Sequence, residues 1–323
     1  MSKDVGLIGL GAMGLGMAGS LRRAGYHVHV CDLRHEVAAA FAKDGGTACA
    51  SPAEVAAACE VIFSVVVNAE QTETVLFGKG AAGGAGGAGG AGGAGGMSGT
   101  GSGSHGGAAA AMKPGSVFAM CSTVPPAFAV ALEARLERMG LLFLDAPISG
   151  GAARAASAGM TMMSAGKPAV YAKCEAMLNA VAAKVYKLGD CAGNGSKVKI
   201  INQLLAGVHI AAAAEAMALG IREGVAPADL YEVITHSAGN SWMFENRMAH
   251  VLSGDYTPLS AVDIFVKDLG LVLDTARASK FPLPLSATAH QMFMQASSAG
   301  YAREDDAAVI KIFPGITLPE AKK

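Results

Sequence analysis

The sequence predicts an α/β domain built on a doubly wound parallel sheet, joined by a long interdomain helix to a C-terminal all-α domain, and three observations carry that prediction. Short β-branched runs alternate with Ala-rich stretches of helical period as far as Leu188. A glycine-rich turn, Gly9 to Gly14, connects the first of those runs to the first helix. From about Gly193 the strand signals stop and only helical period remains. At 323 residues the chain suits two cores better than one, which sets the expected domains at 1–192 and 193–323.

In chain order, strands are expected at Val5 to Ile8, His27 to Cys31, Val61 to Val67, Ser116 to Met120 and Leu141 to Leu144. Between them lie stretches of helical period such as Met13 to Ala24, Thr72 to Phe77 and Ala127 to Met139. The repeat Gly80 to Gly107 has almost no side chains with which to build a core, and reads as a flexible insert inside the first domain; such an insert raises loop entropy only logarithmically. A strand at Met160 to Ala165, a helix at Pro168 to Ala182 and a strand at Lys184 to Leu188 complete the domain. The second domain reads as a long helix through Glu223, then helices at Pro227 to His236, Ser241 to Leu252, Ala261 to Lys280 and Pro284 to Ala299.

Composition narrows the function. Lys plus Arg number 25 and Asp plus Glu 26, so no net field attracts nucleic acid or anionic lipid, and any anion must be held by local groups. The apolar fraction of 52% is inflated by Ala and interrupted by 43 Gly. At the N-terminus Asp4 precedes the apolar run and Arg22 and Arg23 follow it, the reverse of a signal peptide. The run from Ile200 to Ile221 has the length of a membrane span, yet Asn202, Gln203, His209 and Glu215 would each need a partner in lipid, so a buried helix is expected. Six cysteines without metal-ligand spacing predict reduced thiols, a cytoplasmic setting and no metal site.

Gly9-Leu10-Gly11-Ala12-Met13-Gly14 follows a strand and opens a helix, the context in which GxGxxG binds a dinucleotide. Gly9 would make the tight turn, Gly11 would let a pyrophosphate approach, and Gly14 would let helix and strand pack closely. Asp32 closes the second strand 23 positions after Gly9, where a carboxylate accepts from the adenosine ribose hydroxyls. It would repel a 2′-phosphate, so NAD is expected; Arg34 is the one feature that favours NADP. This is the signature of a Rossmann domain.

Two further segments carry chemistry. Lys199, Asn202 and Gln203 open the long apolar helix on one face, and a lysine turned inward there loses hydration, which lowers its pKa and lets it exchange protons near neutral pH. Lys197 is the better candidate for a solvent-directed lysine. Asp145-Ala146-Pro147-Ile148-Ser149-Gly150-Gly151 follows the fifth strand, where Ser149 and the amides of Gly150 and Gly151 would form a small neutral nest for a carboxylate. Lys267-Asp268, taken alone, reads as a solvated pair on a helix.

These pieces stand in the order found in the 3-hydroxyisobutyrate and 6-phosphogluconate dehydrogenase superfamily. LIGLGAMGLGMAGSLRRAG resembles its opening signature, DAPISGG its substrate loop, GNGSKVKIINQ its catalytic-lysine motif and KDLGLVLDTA its late cofactor-contacting helix. The resemblance implies that Lys199 is catalytic and that Ser149, Gly150 and Asn202 touch substrate. It further implies that Thr123, Lys267 and Asn68 neighbour the cofactor. LAGVHIAAAAEAMAL, HSAGNSWMFENRM, GDYTPLSAVDIFVKDLGLV and GYAREDDAAVIKIF are similar to the L-threonate dehydrogenase family, which oxidises the C2 hydroxyl of its sugar acid with NAD. That likeness implies a small sugar-acid substrate, with Asn240 and Ser241 meeting its extra hydroxyls. Tartronate semialdehyde reduction, 3-hydroxyisobutyrate oxidation and a non-catalytic NAD-binding scaffold are the alternatives. The Ala-rich second domain predicts a homodimer or homotetramer.

Overall fold

The computed structural model describes residues 3–78 and 106–321, and the chain divides into two compact units. Unit 1 comprises Met1–Ser122 with Pro126–Gly195, and unit 2 comprises Thr123–Pro125 with Ser196–Lys323. The expected flexible insert at 80–107 falls, apart from Gly106 and Gly107, outside the described residues.

Unit 1 opens with β1 (Asp4–Ile8), α1 (Gly14–Arg23), β2 (His27–Cys31), α2 (His35–Lys43), β3 (Thr47–Ala48), α3 (Pro52–Ala58), β4 (Val61–Ser64) and α4 (Ala69–Phe77). It continues with α5 (Ala108–Ala111), β5 (Val117–Met120), α6 (Pro126–Arg138), β6 (Leu142–Asp145), β7 (Ile148–Ser149), α7 (Gly151–Ala156), β8 (Met160–Ser164), α8 (Pro168–Val181) and β9 (Ala182–Lys187). Among the described residues, six strands pair in the order β3-β2-β1-β4-β5-β6, all in parallel. The order reverses between β1 and β4, and dinucleotides bind at such a switch point in doubly wound sheets. Val5, Leu7, Ile62, Phe63, Phe118 and Leu144 are almost completely buried, as strands covered by helices on both faces must be.

Two short strands escape the sequence reading. β3 and β7 have two residues each, too few to display a two-residue period. β7 pairs antiparallel with β8, and β8 parallel with β9, giving a second sheet of three strands. Asp145 and Ala165 tie it to the end of β6 by reciprocal backbone bonds of 3.1 and 2.8 Å. The expected strand from Val61 to Val67 ends at Ser64, although the Val65 amide still reaches the Ile8 carbonyl at 2.8 Å. Five of the six cysteines are buried, and all six are free.

Helix α9 (Asn194–Arg222) begins at the end of unit 1 and runs on into unit 2. Unit 2 adds α10 (Pro227–Thr235), α11 (Trp242–Ser253), α12 (Val262–Ala278) and α13 (Pro284–Ala296), followed by a 3₁₀ turn at Asp306–Ile312. By length and composition α9 could cross a membrane. Its inner residues Ile210, Ala214 and Met217 instead pack with Phe244, Phe265, Phe293 and Val309 in the core of unit 2. A buried ion pair braces that core: Arg247 of α11 lies against Asp306 through both carboxylate oxygens, with Nη2 at 3.1 Å from Oδ2. Asp305 lies 4.0 Å from the guanidinium and accepts the Leu259 and Ala307 amides.

Candidate active site

The turn after β1 is built by steric necessity. Gly9 has φ +96°, and a Cβ there would stand 2.6 Å from the Val65 carbonyl oxygen. Gly14 is tighter still, since a Cβ would lie 1.8 Å from the Gly9 carbonyl oxygen. Leu10 is buried and Met13 packs partly against the core, which anchors the loop from below. Gly11 and Ala12 are exposed, and a Cβ on Gly11 would meet nothing within 4 Å, so the outer surface of the turn is open to a ligand backbone. The first amides of the ten-residue α1 supply partial positive charge there. These residues fit a dinucleotide pyrophosphate. Gly14→Ala is expected to destabilise unit 1 by about 1–3 kcal/mol and to weaken NADH binding, as followed by fluorescence titration, because the clash is with backbone and no rotamer relieves it.

Asp32, just past β2, buttresses the same turn. Its Oδ2 accepts the Leu10 amide at 2.6 Å, and its Oδ1 accepts the Arg34 amide at 2.9 Å and the Arg34 Nε at 3.2 Å. Partial burial opposes ionisation, but the Arg34 and Leu10 amides and the guanidinium outweigh it and hold the carboxyl below its ordinary value. Arg34 also donates from Nη2 to the Leu10 carbonyl at 3.0 Å, so its guanidinium is tied to the turn. A carboxylate has about four acceptor positions, and three are taken here, which leaves Asp32 capacity for one ribose hydroxyl. Asn68 stands beyond β4 as the cap of α4, its Oδ1 accepting the Gln71 amide at 2.8 Å.

The segment expected to take a carboxylate follows β6. Asp145 is fully buried and accepts the Gly193 amide at 2.9 Å, fixing the residues that lead into α9. Ser149 ends β7, and Gly150 and Gly151 have φ of +139° and +75°, the sharp strand-to-helix turn that glycine permits. Arg154, one turn into α7, lays its stem over this backbone, and a Cβ on Gly150 would meet Arg154 Cβ at 2.9 Å.

Within unit 2, Lys199 is 6% exposed and donates from Nζ to Gln203 Oε1 at 2.8 Å. Gln203 passes the contact on, its Nε2 donating to Asp268 Oδ2 at 2.5 Å, while Asn202 Nδ2 also donates to Gln203 Oε1 at 3.0 Å. Asp268, 2% exposed, is ion-paired with Lys267, whose Nζ also lies 3.5 Å from the Thr123 carbonyl oxygen. Burial pushes the Lys199 ammonium down to about 8; Asp268 works in the opposite direction and Lys267 adds to the lowering. An amine there can both accept and return a proton near neutral pH.

Two points go beyond the expectations. Of the two amides expected on its face, the one that holds Lys199 is Gln203, one turn on. Asp268 belongs to a buried network and not to a solvated pair. The signal was present, for Phe265, Asp268, Leu269, Val272 and Ala276 form one apolar stripe on α12. Lys197 is exposed, as expected. Asn240 and Ser241 sit before α11, where Ser241 Oγ caps the helix by accepting the Phe244 amide at 3.0 Å. Asn240 Nδ2 donates to the Thr235 carbonyl at 3.0 Å and to Glu245 Oε1 at 2.5 Å, and its buried Oδ1 has no partner.

Comparison with known proteins places this arrangement. Residues 4–89 and 100–189 match the NAD binding domain of 6-phosphogluconate dehydrogenase, and residues 193–313 match the domain described as NAD-binding of NADP-dependent 3-hydroxyisobutyrate dehydrogenase. The chain belongs to the 3-hydroxyisobutyrate/6-phosphogluconate dehydrogenase family. It is therefore a dehydrogenase whose cofactor is a nicotinamide dinucleotide. A relative from Cupriavidus necator, named L-threonate dehydrogenase, is 64% identical over 99% of both chains. A protein of the same name from Escherichia coli K12 is 49% identical over 98% of this chain and 97% of its own. The crystal structure of a 3-hydroxyisobutyrate dehydrogenase from Salmonella typhimurium superposes with a TM-score of 0.84 at 50% identity, covering 96% of this chain and 99% of that one.

Proposed function

We propose that this family member oxidises the C2 hydroxyl of L-threonate to 2-dehydro-L-erythronate, with Lys199 as the proton acceptor and NAD as the cofactor. The observation that carries the chemistry is the buried Lys199 amine, pushed down to about 8 and held by Gln203. The substrate rests on the Cupriavidus necator relative, 64% identical end to end.

In this reading the amides of Gly9 to Gly14 hold the pyrophosphate and Asp32 the adenosine ribose. Asn68, Thr123 and Lys267 stand as further cofactor neighbours. When bound, the nicotinamide supplies the hydride acceptor. Ser149, Gly150 and Gly151 take the substrate carboxylate, Asn202 orients the reacting hydroxyl, and Asn240 and Ser241 lie toward the remaining hydroxyls; the unpaired Asn240 Oδ1 supports that last assignment. Neutral Lys199 withdraws the hydroxyl proton as hydride leaves C2, and ammonium Lys199 returns it in the reverse direction. NAD preference follows from the ionised Asp32 and from Arg34 being tied to the turn. Free thiols support a cytoplasmic setting, and the exposed Ile201, Leu205 and Leu219 of α9 support a homo-oligomer.

The Salmonella typhimurium structure, 50% identical and named for a different substrate, favours 3-hydroxyisobutyrate as the second reading. Steady-state rates with L-threonate, D-erythronate and 3-hydroxyisobutyrate separate the two. A site that hydrogen-bonds additional hydroxyls rejects an analogue lacking them, so kcat/KM for L-threonate is expected to exceed that for 3-hydroxyisobutyrate by at least about a hundredfold. Equal or reversed specificity would remove the threonate assignment and leave the dehydrogenase chemistry standing.

A further inference from the structure

A second cluster of ligating side chains lies at the opposite end of the parallel sheet from the phosphate turn. His27 and His29 alternate along β2 with the fully buried Val28 and Val30, so both imidazoles stand on the other face of the strand. The parallel register pairs Asp4 of β1 with His27 and pairs His29 with Thr47 of β3, which brings three adjacent strands to one polar patch. His29 Nε2 lies 3.0 Å from Asp4 Oδ1, and His27 Nε2 lies 2.9 Å from Thr47 Oγ1. The imidazole centroids are 4.9 Å apart and edge-on, and the three ligand atoms of Asp4, His27 and His29 all lie within 4.8 Å of one another.

We infer that Asp4, His27 and His29 form a binding site for one divalent transition-metal ion of the zinc type. Metal–nitrogen and metal–oxygen bonds of about 2.0–2.2 Å in a tetrahedron place ligand atoms roughly 3.3–3.6 Å apart, so these groups need only small rotations to close on an ion. Two imidazoles and one carboxylate suit zinc, and the half-exposed patch leaves the fourth position to water or to the Thr47 hydroxyl. Strand alternation keeps the patch on rigid backbone, where the entropy of assembling three ligands is already met. The ion would clamp the first residues of β1 to β2, five residues along the strand from Gly9, and would act on stability and not on hydride transfer. The inference is independent of the threonate reading.

The test uses tag-free full-length protein, stripped with chelator and titrated with zinc chloride by calorimetry and thermal melting. One ion is expected to bind per chain and to raise Tm, while the double variant His27→Gln, His29→Gln loses both the heat and the Tm rise yet keeps its NAD-dependent turnover. Asp4→Asn, which preserves shape, is expected to lower zinc affinity at least about tenfold, since even outer-shell partners of a metal carry that much. Zinc binding that is the same in native protein and double variant, or an Asp4→Asn variant with unchanged affinity, would overturn the site. So would native protein that shows neither heat nor a Tm change with zinc in molar excess, leaving the cluster as cross-strand hydrogen bonding only.

Discussion

Lys199→Met is expected to lower kcat for hydroxyacid oxidation by about 10²–10⁴-fold, the range that a positioned general base contributes, while NADH affinity stays within about twofold. The methionine fills the same buried volume on α9, and Gln203 still receives a hydrogen bond from Asn202, so the loss is of proton transfer and not of fold. Lys199→Arg is expected to be as inactive, because a guanidinium keeps its charge and cannot accept a proton. In the proposed role, oxidation requires the neutral amine and reduction of the 2-keto acid requires the ammonium. With the amine at about 8, kcat/KM for oxidation rises as pH increases through that value, and kcat/KM for reduction falls. Near-native turnover in Lys199→Met would refute the role outright.

The largest expected stability change lies elsewhere in unit 2. Arg247→Met removes the guanidinium from Asp306 and leaves a fully buried carboxylate without its counter-charge; breaking a buried pair in this way costs about 3–5 kcal/mol. The loss is expected to depend on pH. Burial already pushes the Asp306 carboxyl up to about 7, against the pull of Arg247, so its folded-state value lies above that of the unfolded chain. The folded chain therefore holds a proton that the unfolded chain has released, and the contribution to stability declines as pH rises toward 7. Without Arg247 that decline extends to higher pH. Urea unfolding at pH 8 is expected to show the full loss, and at pH 5.5 a smaller one, because a protonated Asp306 needs no partner. An equal loss at both values would mean that packing, and not charge, is what Arg247 supplies.

Much of the nucleotide-binding half was legible because its constraints act through backbone. Gly9 and Gly14 occupy positions where any side chain meets a carbonyl oxygen, and a constraint of that kind writes itself into residue type. Of the five longer strands of the main sheet, β1, β4, β5 and β6 were visible for a similar reason, as apolar runs buried on both faces. β3 and β7 were not, since two residues carry no period and only a neighbouring strand's ladder makes them strands. Lys199 was legible as an amine on an apolar helix, but which of two adjacent amides held it depends on a rotation that spacing does not determine. Asp268 and Arg247 each sit on the apolar stripe of their helix, beside Leu269 and Met248, and that placement marks a charge that is buried. What local pattern cannot supply is the partner: Gln203 lies 65 residues from Asp268, and Asp306 lies 59 from Arg247.

The depressed ammonium is the claim on which the enzymatic account depends, and it can be observed without turnover. Protein carrying ¹³Cε-labelled lysine, titrated by NMR from pH 6 to 11, is expected to show one resonance with a midpoint near 8 that is absent from the Lys199→Met spectrum. If every lysine resonance titrated near the ordinary value of about 10.4, Lys199 would be a solvated cation, and the proton-transfer role assigned to it would be contradicted.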